Sequence, residues 1–414
     1  MSGSRGAAVA ATLVTATGAP PARGSTLAAS VTPEAGVAWI DGVIEYVGPA
    51  DGLPWEPTAG DPARGSIVPG FVDCHVHLPF VGWRADEFET RLRGVSYREL
   101  HDEEGGIFRS SRLLREASDD EVVAFCLPLL AEMAAHGTTA VELKTGYGLG
   151  VGEELRQARL ARRLAAEVEQ TCTVTLLACH AVPHGMTRAE WVRVACHELI
   201  PEAARQGLAD AVDVYVEDIA FSLDDLAAVA EAAVRASLPL RVHADQLGPS
   251  AAAEAAVALG ARSADHLNRV SAAGVTALGR APATAAVLLP ASTFFIGVDP
   301  PPVAALQREG AALALATDFN PGTSPVLSMP EAIAMACTLY GIEPLVALTA
   351  ATANPAWVLG LDDRLGTLEV GRRADFLLLE EPGFAQVPYR PGHDPVTATF
   401  VAGERVSEAT PRDR

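Results

Sequence analysis

The chain has 414 residues, enough for one large barrel with a smaller companion unit or for two to three average domains. Hydrophobic residues make up 49%, an ordinary share for a globular chain, and no uninterrupted apolar run reaches the roughly 18 to 20 residues of a membrane span. The formal net charge of −21 argues against nucleic acid or an anionic membrane as partner.

The segment from Met1 to Gly18 is small and apolar, without the cationic start and Leu-rich centre of a signal peptide, so it reads as a strand in a cytoplasmic protein. Ala7 to Thr15 and Gly36 to Val47 are β-like runs between Pro- and Gly-rich turns, and residues 365–406 have the same character. Neither end is large enough for a stable sheet alone. The expectation is a small β-sandwich unit built from residues 1–66 and 362–414, flanking a centre at 67–361.

In that centre, apolar runs alternate with Ala-, Leu-, Glu- and Arg-rich stretches such as Gly152 to Glu169 and Leu223 to Arg235. The runs are Ile67–Val76, broken by Pro69 and Gly70 where it begins, Thr138–Lys144, Thr173–Cys179, Ala211–Val216, Leu238–Val242, Ala261–Asp265, Ala285–Leu289 and Ala312–Ala316. Eight strands separated by helices predict a (β/α)8 barrel with its function at the strand C-terminal ends. An open doubly wound sheet is the alternative, but no Gly-x-Gly-x-x-Gly follows the first strand.

The strand ends carry polar groups that burial alone does not explain. His75 and His77 sit two apart, on one face of an extended segment, and can flank a single divalent metal; read alone, the pair is equally a set of core histidines satisfied by backbone. Strand two runs into Glu142, Lys144 and Tyr147, strand three ends at His180, and strands five, six and eight reach His243, His266 and Asp318. With His184 counted, six of the ten histidines cluster this way. Two histidines from one strand, one from a later strand and the last aspartate compose a His3Asp set suited to Zn²⁺ or Fe²⁺, with one position left for a water whose pKa falls to about 7. Asp318 then binds the metal and accepts the water proton, while His266 polarises a carbonyl or shuttles a proton. Among 31 basic residues Lys144 is the only lysine, through chance or for a specific role. The six cysteines form no CxxC pair and read as reduced thiols.

The run Pro69-Gly-Phe-Val-Asp-Cys-His-Val-His77, the strand-end His243 and His266, and Thr317-Asp-Phe-Asn-Pro-Gly322 resemble the amidohydrolase superfamily, as do Asn354 to Gly360 and Gly366 to Asp375. Gly82 to Glu89, Glu142 to Gly148, Cys179 to Pro183, Ser263 to Leu267 and Ala316 to Pro325 are similar more narrowly to the imidazolonepropionases. Those enzymes hydrolyse the ring amide of 4-imidazolone-5-propanoate to N-formimino-L-glutamate in histidine degradation. The resemblance implies metal ligands His75, His77, His243 and Asp318. It implies substrate contacts at Arg84, Tyr147, His180, Asn320, Gly322 and Thr323, and proton transfer at His266.

An Arg fork suits the two oxygens of a propanoate, the alternative for Arg84 being a surface ion pair with Asp86 or Glu87. Tyr147, between two glycines, fits a mobile loop closing over a ligand or simple turn packing. Gln246 stands three residues after His243, where many deaminases of the superfamily carry a glutamate; glutamine hydrogen-bonds but transfers no proton. That leaves His266 and Asp318 to protonate the leaving nitrogen and weakens a nucleobase deaminase as the alternative. A hydrolase of another small cyclic amide or amidine and a catalytically dead binding barrel are further alternatives. One metal, a small-molecule substrate and a homodimer complete the expectation. With Lys144 on strand two, a lysine bridging two metals is not expected.

Overall fold

The computed structural model describes residues 4–16, 18–95 and 105–408. Eight parallel strands run in sequence order around a barrel: β5 (Phe71–Asp73), β6 (Thr138–Lys144), β7 (Thr171–Cys179), β8 (Ala211–Val216), β9 (Leu240–Ala244), β10 (Ser263–His266), β11 (Ala285–Leu288) and β12 (Ala312–Leu315). Parallel strands covered by helices are buried on both faces, which is why they read as continuous apolar runs. Almost every residue in them is buried.

The ladder is continuous from β5 to β12, and a different device closes the ring. Just past the two strands, Val76 and Phe319 form a parallel bridge, and the His77 amide donates to the Phe319 carbonyl at 2.9 Å. One layer below, the buried Asp73 carboxylate accepts from the Thr317 hydroxyl at 2.6 Å and the Thr317 amide at 3.1 Å. The seam is therefore tied beside the residues that matter for chemistry. The predicted (β/α)8 barrel is present.

The second sheet has seven strands in the order β15-β14-β13-β4-β1-β2-β3. It takes β1 (Arg5–Thr15), β2 (Ser30–Ile40), β3 (Val43–Pro49) and β4 (Ala59–Pro69) from one end of the chain, and β13 (Phe376–Leu379), β14 (Val396–Val401) and β15 (Glu404–Glu408) from the other. The β1–β4 pair is parallel and the remaining pairs are antiparallel, so the companion unit is a single mixed sheet.

Two expectations need correction. The unit built from both chain ends is one mixed sheet, not a sandwich of two. Ile67 to Val76 is not one strand: Ile67–Pro69 ends β4 in the mixed sheet, and Phe71 begins the barrel. The switch occurs at Gly70, whose amide still donates to Asp375 while that of Phe71 already donates to Gly137. A Cβ at Gly70 would lie 2.1 Å from the Thr139 hydroxyl, so the crossing point tolerates no side chain.

The helices fall where predicted. Gly152 to Glu169 forms Val151–Glu167, and Leu223–Arg235 begins with a capping box in which Ser222 and Asp225 satisfy each other's amides. Among the described residues no helix is long and apolar enough to cross a membrane. The six cysteines are free thiols.

Candidate active site

The His-x-His segment leaves β5 in extended form, held on one side by the Val76 carbonyl accepting from the Lys144 amide and on the other by the seam. Both imidazoles then point the same way, with His75 Nε2 3.3 Å from His77 Nε2. His243, on β9, brings its Nε2 to 3.5 Å from that of His77. Asp318, three residues past β12 in a left-handed conformation, places Oδ1 3.3 Å from His77 Nε2 and 3.6 Å from His75 Nε2.

The donor set fits a metal ion. His75 Nδ1 lies 2.6 Å from the Asp265 carboxylate and His243 Nδ1 3.1 Å from Asp213. Each Nδ1 therefore donates its proton to a carboxylate, and each Nε2 presents a lone pair inward. Two of the three inward nitrogens therefore have no proton to share with the others or with the Asp318 oxygen, and the third belongs to His77, whose Nδ1 is buried without a hydrogen-bond partner. Nitrogen ligands about 2.0–2.1 Å from a tetrahedral ion lie roughly 3.4 Å apart, which is the observed spacing.

No pattern in the sequence singles out Asp213 and Asp265. Both are fully buried on barrel strands. Burial raises the Asp265 carboxyl to about 6, opposed by Lys144. Burial acts against ionisation of Asp213 as well, but His243 and Lys144 prevail and hold it below the usual range. Burial and neighbouring cations, Lys144 and other imidazoles among them, lower His75 and His77 well below the ordinary histidine value, which keeps them neutral and ready to ligate.

The pocket above this cluster gathers nearly all the expected contacts: Arg84, Tyr147, His180, Gln246, His266, Asn320 and Thr323 line it together with His77, His243 and Asp318. Ile107 and Tyr215, which the sequence does not flag, complete the wall. Gly322 is not part of the lining. It lies against the Arg84 side chain, where an added Cβ would meet the guanidinium at 1.8 Å, so its contribution is room for that arginine. His184 stands apart, its ring stacked on Phe108 at 4.3 Å.

Arg84 is 3% exposed, so its ion pair with Glu87 is present but buried and not at the surface. Glu87 lies 3.6 Å from its Nε, too far for a hydrogen bond, and Nε and one terminal nitrogen are buried without a hydrogen-bond partner. Asp86 is engaged by Arg109 instead. A buried guanidinium with unused donors is costly unless an anion reaches it.

The Tyr147 loop is anchored in this structure. Amides of Gly146 and Tyr147 donate to Gln157 Oε1 at 3.1 and 3.0 Å, and those of Gly146 and Leu149 donate to Glu154 at 3.0 and 2.9 Å. The Gly146 carbonyl accepts from His180 Nδ1 at 3.0 Å, leaving His180 Nε2 as an acceptor. His180 stacks on His77, with ring centres 5.3 Å apart. Burial, with His77 and His243 adding, lowers His180 well below the usual range, and burial brings His266 down to about 3 against the pull of Asp318. Both are neutral near pH 7. His266 Nδ1 is buried without a hydrogen-bond partner. Asn320 spends Oδ1 on Gly322, Thr323 and the Thr323 hydroxyl and Nδ2 on Asp318, so it shapes the loop as well as facing the pocket.

Comparison with known proteins agrees with this geometry. A family model described as the amidohydrolase family matches residues 66–406. Imidazolonepropionase of Rubrobacter xylanophilus is 45% identical over 339 residues, covering 82% of this chain and 81% of that protein. The chain belongs to the amidohydrolase family, and within it to the imidazolonepropionases. Imidazolonepropionase of a Methylobacterium species is 42% identical over 372 residues, 89% of this chain and 92% of the relative. Among solved structures, guanine deaminase of E. coli superposes with a TM-score of 0.72 at 16% identity, covering 98% of this chain and all of that one, which is a likeness of fold.

Proposed function

We propose that the protein hydrolyses the ring amide of 4-imidazolone-5-propanoate to N-formimino-L-glutamate. The observation that carries this reading is a pocket that lies over the His75, His77, His243 and Asp318 cluster and is also lined by a buried Arg84, two of whose guanidinium nitrogens make no hydrogen bond. The first provides for attack on an amide, and the second asks for a carboxylate on the substrate.

His75, His77, His243 and Asp318 hold one divalent ion, Zn²⁺ or Fe²⁺, since nitrogen and carboxylate donors suit both. When bound, the ion supplies the Lewis acidity that makes water a competent nucleophile near neutral pH. Arg84 binds the propanoate and so fixes how the ring sits over the cluster. Asp318, whose carboxyl burial raises above the ordinary range, takes the proton that water loses. His266, neutral and facing the pocket, hydrogen-bonds the carbonyl oxygen. Gln246 and His180 complete the hydrogen bonding to the ring and Tyr147 that to the carboxylate, with Asn320 and Thr323 at the pocket edge. As the C–N bond breaks, the proton taken from water passes to the ring nitrogen, so no outside acid is needed. A cytoplasmic homodimer without a nucleic-acid partner belongs to the same proposal, and the charge of −21 supports the last point.

The test follows the ultraviolet absorbance of freshly generated 4-imidazolone-5-propanoate with wild type beside Arg84→Ala. Metal-dependent loss of absorbance is expected, with kcat/KM reduced about 10²- to 10³-fold in the variant, as for truncating one partner of a buried charge pair. No turnover by folded, metal-replete wild type would overturn the substrate assignment.

A further inference from the structure

The only lysine of the chain lies in the floor beneath the metal cluster. Its side chain is fully buried, and Nζ is 2.7 Å from Asp213 Oδ2, 3.0 Å from Glu142 Oε2 and 4.0 Å from Asp265 Oδ2. An ammonium has three donor directions and no acceptor. Here three carboxylates from three different strands surround it: Asp213 accepts a hydrogen bond, Glu142 is a close ion-pair neighbour, and Asp265 lies beyond hydrogen-bond reach. Two of them are the partners of His243 and His75, while Glu142 is held from its other side by Arg241 and Thr175. Lys144 itself does not line the substrate pocket.

We infer that Lys144 is a positioning residue for the metal centre: its ammonium holds Asp213 and so fixes the tautomer and tilt of His243, while Asp265, the partner of His75, lies 4.0 Å away and feels its charge without a hydrogen bond. The geometry explains why this position takes lysine when every other basic residue is arginine. A compact point charge fits between three carboxylates, whereas a planar guanidinium presents its donors in a rigid fork of larger span. Arg241, on the next layer, makes the contrast. It faces one carboxylate, Glu142, with a hydroxyl and a backbone carbonyl as further acceptors. Orientation of the histidines would otherwise depend on two carboxylates repelling each other across the barrel axis. The role rests on the metal reading and is independent of the substrate assignment.

The test measures metal retention without substrate. Wild type, Lys144→Met, Asp213→Asn and the double variant are loaded with metal, and the rate of loss to a chelator is followed in protein shown to be folded by circular dichroism. Lys144→Met is expected to lose metal 10- to 100-fold faster, the usual effect of removing outer support from a metal ligand. It is also expected to shift the visible absorption bands of the Co²⁺-substituted protein. Because the lysine acts through Asp213, the double variant should lose metal no more than about threefold faster than Asp213→Asn alone. Should Lys144→Met fail to fold, the double variant, which removes one charge of each sign, carries the same comparison. A wild-type loss rate and unchanged Co²⁺ spectrum in Lys144→Met, or effects that multiply in the double variant, overturns the proposal. Wild type that takes up no divalent ion overturns the metal reading and this role with it.

Discussion

The barrel floor and the core of the mixed sheet are both buried, yet they are built from opposite materials. Beneath the site, Glu142, Lys144, Asp213, Arg241 and Asp265 occupy the barrel interior at 0–2% exposure. In the mixed sheet the buried positions are filled by Trp39, Phe376 and Phe400, with the two phenylalanine rings stacked at 4.3 Å and Trp39 at 5.2 Å from Phe376. Apolar area removed from water stabilises at about 25 cal/mol per Å², so the sheet contributes to folding directly. A buried ion network roughly breaks even against a hydrophobic core of similar volume, and loses when one member is removed. The floor is therefore retained for orientation of the histidines above it, and the sheet for stability.

This division predicts that the two regions fail differently. The largest effect is expected from His243→Ala, which removes one of three converging nitrogens. Metal content at equimolar loading should fall sharply and kcat drop on the order of 10³-fold or more, since activation of water is lost. The thermal midpoint of the metal-free variant should stay within a few degrees of metal-free wild type, because the lost contacts are polar. Full metal content in the variant would move His243 out of the ligand set.

Phe376→Ala should do the reverse. Its ring is fully buried between Trp39 and Phe400, and such truncations cost about 3–5 kcal/mol. Denaturant unfolding should show that loss while kcat/KM per folded molecule stays within about twofold. A large fall in activity with stability intact would mean that the sheet reaches the site, against the division drawn above.

How much of this is legible in the sequence follows the same line. His75 and His77 are legible because two residues of one strand carry their geometric relation in the spacing alone. The later ligands His243 and Asp318 are legible as polar groups at the ends of apolar runs. Asp213 sits within one of those runs, Ala211–Val216, and its partner His243 comes from the next strand, so only assembly of the barrel reveals the pair. The break at Gly70 is half legible: Pro69 and Gly70 interrupt the run, but Ile67–Pro69 and Phe71–Asp73 are both apolar, and a change of sheet leaves no mark in hydropathy. For Gly322 the resemblance implies a contact to substrate; the structure adds that its missing side chain leaves room for the Arg84 guanidinium, which only the assembled fold reveals.

The smallest predicted effect sharpens the contrast with a third kind of buried charge. Glu154 is 1% exposed, has no cationic partner within ion-pair distance among the described residues, and is satisfied by the amides of the Tyr147 loop. Burial raises its carboxyl to about 7, the amides acting in the opposite direction. A folded-state value above the unfolded 4.5 means that the folded form holds the proton longer. Stability from this group is complete below about pH 4.5 and is lost as pH rises through 7. Glu154→Gln has no proton to lose, though its amide accepts on one oxygen only. Its stability relative to wild type should therefore start lower at pH 4.5 and improve by about 2.5 kcal/mol by pH 7, since a tenfold difference in proton affinity between the folded and unfolded chains is worth about 1.4 kcal/mol and both chains are partly ionised within that range. Taking the difference between two otherwise identical chains cancels the other buried groups, Asp73 and Glu217 among them, which burial also raises to about 7. A difference that is flat with pH would show Glu154 ionised throughout, and the loop amides would then be doing for a lone carboxylate what Lys144 does for its three.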